Sequence, residues 1–140
     1  MSQRIVPMLS YEDAAAAIDW LCAAFGFTED SSRRHTDENG VVGHAELRHG
    51  EERIMLATPN AEYESPATHR EHCEHAARWL DNPWVIDGVF VAVDDVDAHH
   101  ARAVDAGATI LRSPEEPGVG FRIYSAEDLE GHRWMFGQRQ

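Results

Sequence analysis

The chain contains no lysine: all twelve of its basic residues are arginine. That excludes chemistry that needs a lysine amine, such as Schiff-base or pyridoxal-phosphate catalysis. Cysteine is nearly absent too. Cys22 and Cys73 are too few for a disulfide framework and read as thiols of a cytoplasmic protein. No apolar run approaches the ~20 residues of a membrane span. Met1–Ser10 lacks a charged start followed by an apolar stretch, so neither a membrane partner nor a signal peptide is expected. The basic residues do not cluster and the net charge is −13, which argues against a nucleic-acid partner. The same acidity suits a cationic ligand, or simply keeps the chain in solution.

What the chain does have is the same unit twice. IVPMLSYEDAAAAIDWLCAAFGFT (Ile5–Thr28) and VFVAVDDVDAHHARAVDAGAT (Val89–Thr109) each run from a short apolar strand through an acidic turn into an Ala-rich helix, then to Gly and Thr. Asp13 to Gly26 spans thirteen positions, and Asp95 to Gly107 spans twelve. Such self-similarity constrains architecture more than any single residue. The 43% apolar content is enough for a core.

Each copy reads as βαβββ. In the first, Ile5–Leu9 is a strand and Asp13–Ala24 a helix, with Asp13 able to accept the free amides of its first turn. Ile18, Leu21, Cys22 and Phe25 recur at helical spacing and should face inward. Gly26 ends the helix. Thr28–His35, Val41–Arg48 and Arg53–Ala57 follow as strands, the first two joined at Asn39-Gly40, a strong hairpin signal. In the second copy, Val89–Val93 is a strand and Asp97–Ala106 a helix. Thr109–Arg112, Phe121–Ser125 and Arg133–Gly137 are the remaining strands. The segment between the copies carries one expected helix, Thr68–Leu80. The organisation expected is therefore a first module over 1–58, a connector over 59–85 and a second module over 86–140.

Two βαβββ modules in one small chain resemble the vicinal oxygen chelate superfamily, which includes glyoxalases, extradiol dioxygenases and bleomycin-resistance proteins. The residues that carry the resemblance are VAVDDVDA (Val91–Ala98), AGATIL (Ala106–Leu111) and GVGFRIYSAEDLEGHRWMF (Gly118–Phe136). In the first half they are PMLSYEDAAAAIDWL (Pro7–Leu21), AAFGF (Ala23–Phe27) and GHAEL (Gly43–Leu47). The bleomycin-resistance-like branch is the most similar. The resemblance implies an α+β fold in which curved mixed sheets surround a cup-shaped cavity. It also implies a divalent metal in active members, held from the first and last strand of each module. Those four positions fall here on Val6, Met55, Gly88 and Met135. Valine and glycine offer no donor, and a thioether is a soft ligand. No metal and no other cofactor is therefore expected. The implied function is metal-free binding of a small molecule, a drug or metabolite of cationic or aromatic character. The alternative is a lyase or isomerase that works through His44 and Glu46 or through a non-standard metal set.

Strand side chains alternate between faces. With Met55 and Met135 turned into the cup, His44, Glu46, Arg122 and Tyr124 are expected to join them, while Ala45, Leu47, Ile54, Leu56, Ile123, Trp134 and Phe136 pack on the helices. His44 and Glu46 are the candidate catalytic pair. His44, Glu46, Met55, Phe90, Arg122, Tyr124 and Met135 are the candidate ligand-binding set. Arg122 either clamps an acceptor on the ligand or forms a buried ion pair with Glu46, and loss of that pair would cost about 3–5 kcal/mol. His69, His72 and His75 recur at steps of three but make a poor joint ligand set. His99 and His100 are expected to be exposed. Trp79 and Trp84 either cover the cup or pin the connector. A homodimer is expected, because half-barrels leave strand edges to be covered.

Overall fold

The computed structural model describes residues 3–84 and 86–140; the module limits expected at residues 1 and 85 lie outside them. The chain divides into two compact units between Ser65 and Pro66.

The first unit contains β1 (Met8–Ser10), α1 (Ala14–Phe25), β2 (Thr28–Glu29), a 3-10 turn (Ser31–Arg33), β3 (His35–Thr36), β4 (Val42–His49) and β5 (Glu52–Ala57). β1 runs parallel to β5, β5 antiparallel to β4, and β2 and β3 both pair antiparallel with β4. Asp13 caps α1 by accepting from the Ala16 amide at 3.1 Å. Gly26, at φ 79°, ends it in the left-handed region where glycine alone is unstrained. The helix buries Ala14, Ala17, Ile18, Leu21, Ala24 and Phe25, with Ala45, Leu47, Ile54 and Leu56 also buried. Each large apolar side chain so covered contributes about 1.5–3 kcal/mol. Cys22, expected among them, is only half-buried.

The strand expected over Thr28–His35 is interrupted. The Ser32 hydroxyl donates to Asp30 at 2.6 Å, and such local side-chain bonds compete with a ladder. β2 and β3 are what remains of it.

The second unit contains α2 (Pro66–His72), α3 (Glu74–Leu80), β6 (Gly88–Ala92), α4 (Val96–Asp105), β7 (Thr109–Glu115), β8 (Phe121–Glu127) and β9 (Arg133–Arg139). β6 is parallel to β9, β9 antiparallel to β8, and β8 antiparallel to β7. Both sheets therefore set their module's strands in the order first, fourth, third, second, which is the duplication read from the sequence.

The first strand begins at Met8 rather than Ile5, several other ends move by one or two residues, and three further boundaries differ for a visible reason. Asp95, the counterpart of Asp13, caps α4 through the Ala98 amide at 3.0 Å, so the helix begins at Val96 rather than Asp97. The expected helix Thr68–Leu80 is two helices, broken where Cys73 is extended at φ −127°, ψ 105°. β7 continues past Arg112 through Pro114. It is an edge strand whose pairing with β8 shifts on both sides of Arg112, and an edge tolerates proline because no ladder bond is lost.

Candidate functional site

The first unit's sheet has one face against α1 and one turned away from it. Register sets the second face: Met8 pairs with Met55 and Met55 with Glu46, and paired residues point to the same side. His44, two residues from Glu46, shares that side. Its Nε2 lies 2.9 Å from Glu46 Oε2. Glu46 is only 7% exposed, and its other oxygen accepts from Arg53 Nη1 at 3.3 Å. Arg53 also donates to Asp30 at 2.9 Å. The His35 ring stands 6.0 Å from that of His44. The structure thus brings together His44, Glu46 and Met55 as expected. It adds Arg53, which the sequence reading missed although Arg53 precedes Met55 by the two-residue step that keeps it on this face.

The hydrogen bond with His44 holds the Glu46 carboxyl below the usual carboxylate range, against an opposing push from burial, with the Arg33, His44 and Arg53 charges assisting. A depressed folded-state value means stability that is present above the unfolded value of about 4.3 and lost as pH falls through the folded one. Glu46→Gln should therefore be less stable than the parent at about pH 5 and above. The gap should close as the pH falls below about 4. Urea melts across that range check it, and a pH-independent gap would contradict the assignment.

Two hollows adjoin this face. One, of about 170 Å³, is lined by Met8, Ser10, Gly43, His44 and Met55 among others. The other, of about 840 Å³, is lined by Glu12, His35, Asp37, Gly43, Asn60 and Tyr63 among others. Gly43 borders both, and a Cβ placed there meets nothing within 4 Å.

In the second unit the face away from α4 carries Phe90 and Met135, which are register partners. Phe90 is 47% exposed, packs edge-on to Phe121 at 5.2 Å and lies over Gly137. Arg122 and Tyr124 are on the opposite face, which corrects the expectation. Arg122 makes two bonds to Asp97 of α4, at 3.1 and 2.9 Å, and the cation beside Glu46 is Arg53 instead. Asp97 is 61% exposed, so solvent screens this pair and it is not the buried one that was expected. Tyr124 is fully buried, stacks on Phe136 at 5.2 Å and meets His99 Nδ1 at 2.6 Å; burial pushes its phenol up. The error is one of phase. Ile123 was placed against the helix because it is apolar, whereas Tyr124 is the larger apolar body and has a polar partner for its hydroxyl on α4. His99, expected to be exposed, is that partner.

His69 and His72 are on α2, with rings 5.8 Å apart, and His75 is on α3 beyond the break. Trp79 and Trp84 are both more than half exposed. Trp84 lies across Arg112, with 3.4 Å between the guanidinium carbon and the ring centre. Among the described residues no group of three or more His, Cys, Asp or Glu side chains is placed to hold a metal ion. Val6, Met55, Gly88 and Met135 supply no oxygen or nitrogen side-chain donor. The donor set does not fit a hard divalent cation.

Comparisons with known proteins bear on what such a face does. The family model described as Glyoxalase/Bleomycin resistance protein/Dioxygenase superfamily matches residues 5–136. An uncharacterized protein of Mycobacterium bovis is 30% identical over 144 residues, covering 94% of this chain and 80% of its own length. TioX from Micromonospora sp. ML1 is 29% identical, with a TM-score of 0.64 over 99% of this chain and 97% of its own. TnmS3, an antibiotic binding protein from Streptomyces sp. CB03234, shares the fold at 17% identity, with a TM-score of 0.61 over 100% of this chain and 99% of its own.

Proposed function

This chain belongs to the Glyoxalase/Bleomycin resistance protein/Dioxygenase superfamily, and on that premise we propose that it is a metal-free binding protein for a small molecule, a drug or metabolite. The observation that carries this reading is the cleft of about 840 Å³ in the first unit. It is within the ~300–1,000 Å³ of ligand sites and shares Gly43 with the smaller hollow lined by His44 and Met55. Glu12 and Asp37 on its wall and a net charge of −13 favour a cationic ligand; Tyr63 and His35 offer faces to an aromatic one. The antibiotic binding of TnmS3 supports the same class of activity here. The scarcity of cysteine supports a cytoplasmic setting.

A thermal-shift screen tests it. A ligand at a hundred times its Kd stabilises by about 2.7 kcal/mol. Gly43→Phe fills open space without forcing a left-handed backbone, so the variant should melt where the parent does and lose the ligand's shift. A shift of full size in Gly43→Phe would remove the cleft from the reading.

The His44–Glu46 contact favours a second reading, a lyase or isomerase in which this pair moves a proton. Turnover of a bound ligand that is lost in Glu46→Gln while binding persists would select it. We also read the protein as a homodimer: β1 is an edge strand that begins with Met8, 80% exposed, and is preceded by Ile5, 86% exposed, and twofold pairing hides such an edge. Light scattering at the 15.7 kDa chain mass would count against it.

A further inference from the structure

The stretch over residues 66–84 is fastened to the second unit's sheet in a way no other element is. Neither α2 nor α3 has a buried residue, whereas α1 buries six and α4 buries Val96 and Ala103. The burial of apolar side chains that seats α1 and α4 therefore does not seat these two helices.

What holds the stretch is polar and lies at its two ends. At the front, the Ala67 amide donates to the Glu130 carbonyl at 3.0 Å, and Arg70 Nη2 donates to Glu127 Oε1 at 2.9 Å. At the back, Arg133 donates to the carbonyls of Leu80, Asn82 and Trp84, and the Trp84 ring lies on Arg112. Both ends converge on one carboxylate, because Glu127 takes Arg70 with Oε1 and Arg133 with Oε2. Between the ends, α2 and α3 pack on each other. Gly131 shows how closely the front sits: a Cβ there would stand 2.8 Å from the Ala67 nitrogen and 3.0 Å from Arg70 Nη2.

Register identifies what lies beneath. Glu127 of β8 pairs with Arg133 of β9, and Arg133 with Gly88 of β6. The adjoining row, two residues along each strand and so on the same face, is Ser125, Met135 and Phe90. The stretch closes over the Glu127–Arg133 end of that face.

We propose that residues 66–84 are a strap that opens and shuts as one piece while β6–β9 and α4 stay folded, and that its opening uncovers this end of the face. Gating elements are drawn from segments of low local stability, and a segment without a buried apolar side chain is one. The shared carboxylate makes the opening cooperative. Water that reaches Glu127 past a released front also reaches the Arg133 bonds that hold the back, and hydrogen bonds weaken once they are hydrated. The inference stands apart from the reading of the first unit's cleft.

Hydrogen exchange of the intact chain, followed amide by amide in low urea, tests it. The hydrogen-bonded amides of α2 and α3 should share one opening constant. It should be about a hundredfold or more above that of the β8 and β9 amides, with a smaller urea slope. Arg70→Met changes α2, yet it should speed exchange in α3 by the same factor as in α2, about tenfold. Gly131→Ala sets a methyl group against Ala67 and should speed both helices too. The strain of alanine at φ 89° is the same with the strap open or shut, so strain alone does not raise this exchange. Should Gly131→Ala fail to fold by circular dichroism, the parent and Arg70→Met carry the test. Exchange of α2 and α3 with the rate and urea slope of β8 and β9 would overturn the proposal, since the stretch would then leave only on global unfolding. Exchange as fast as in an unstructured peptide would overturn it as well, and so would failure of either folded variant to speed α3.

Discussion

Arg133→Met should lose about 3–5 kcal/mol of stability, the cost of breaking a buried ion pair from one side. Arg133 is 4% exposed. Its Nε and Nη2 both reach Glu127 Oε2, at 3.2 and 3.1 Å, and Glu127 is itself 5% exposed. The same guanidinium donates to the carbonyls of Leu80, Asn82 and Trp84. One side chain thus fastens the segment after α3 to the sheet. Methionine keeps the apolar stem and leaves a buried carboxylate with Arg70 alone, at 2.9 Å, and three carbonyls without this donor. Arg133→Lys keeps the charge but not the planar fork, so it should fall between the two. Urea melts of the three proteins check the order. A loss below about 1 kcal/mol for Arg133→Met would show that the segment is held in some other way.

Trp134→Ala should cost about 3–5 kcal/mol as well, through cavity formation. Trp134 is fully buried, lies parallel to Phe136 with an interplanar angle of 6°, and donates Nε1 to Asp128 Oδ2 at 3.0 Å. Asp128 in turn accepts the amides of Glu130 and His132 through Oδ1. The indole therefore fills core volume and fixes the β8–β9 turn. Trp134→Phe separates these roles: it keeps much of the volume and loses the bond to Asp128, for an expected cost of about 1–3 kcal/mol. If the two variants melted together in urea, the hydrogen bond rather than the volume would be the main contribution.

The duplication was legible because it resides in local signals. An acidic cap, an Ala-rich helix and a closing glycine recur at matched spacing, and short strands follow each copy. The correspondence of Met55 with Met135 on the last strand of each module follows from the same repetition, but their first-strand neighbours are Met8 and Phe90 rather than Val6 and Gly88. His44 and Glu46 were legible as neighbours because a two-residue step on a strand is sufficient to place them together. What failed was strand phase where chemistry is mixed. Tyr124 counted as polar although its ring is the larger part, and that single choice reversed Arg122 as well, since both ride on β8. The break at Cys73 has only a weak counterpart in composition: His72 and Cys73 are poorer helix formers than Arg70, Glu71 and Glu74, by about a few tenths of a kcal/mol each.

β7 has a bearing on how copies of this protein meet. An edge strand normally offers an approaching chain a run of evenly spaced amides and carbonyls. Pro114 has no amide hydrogen to offer, and the shifts beside Arg112 put the remaining groups out of step. A second copy trying to extend the sheet there finds an interrupted template. Uncontrolled strand addition, the first step toward fibrous aggregates, is discouraged at that border.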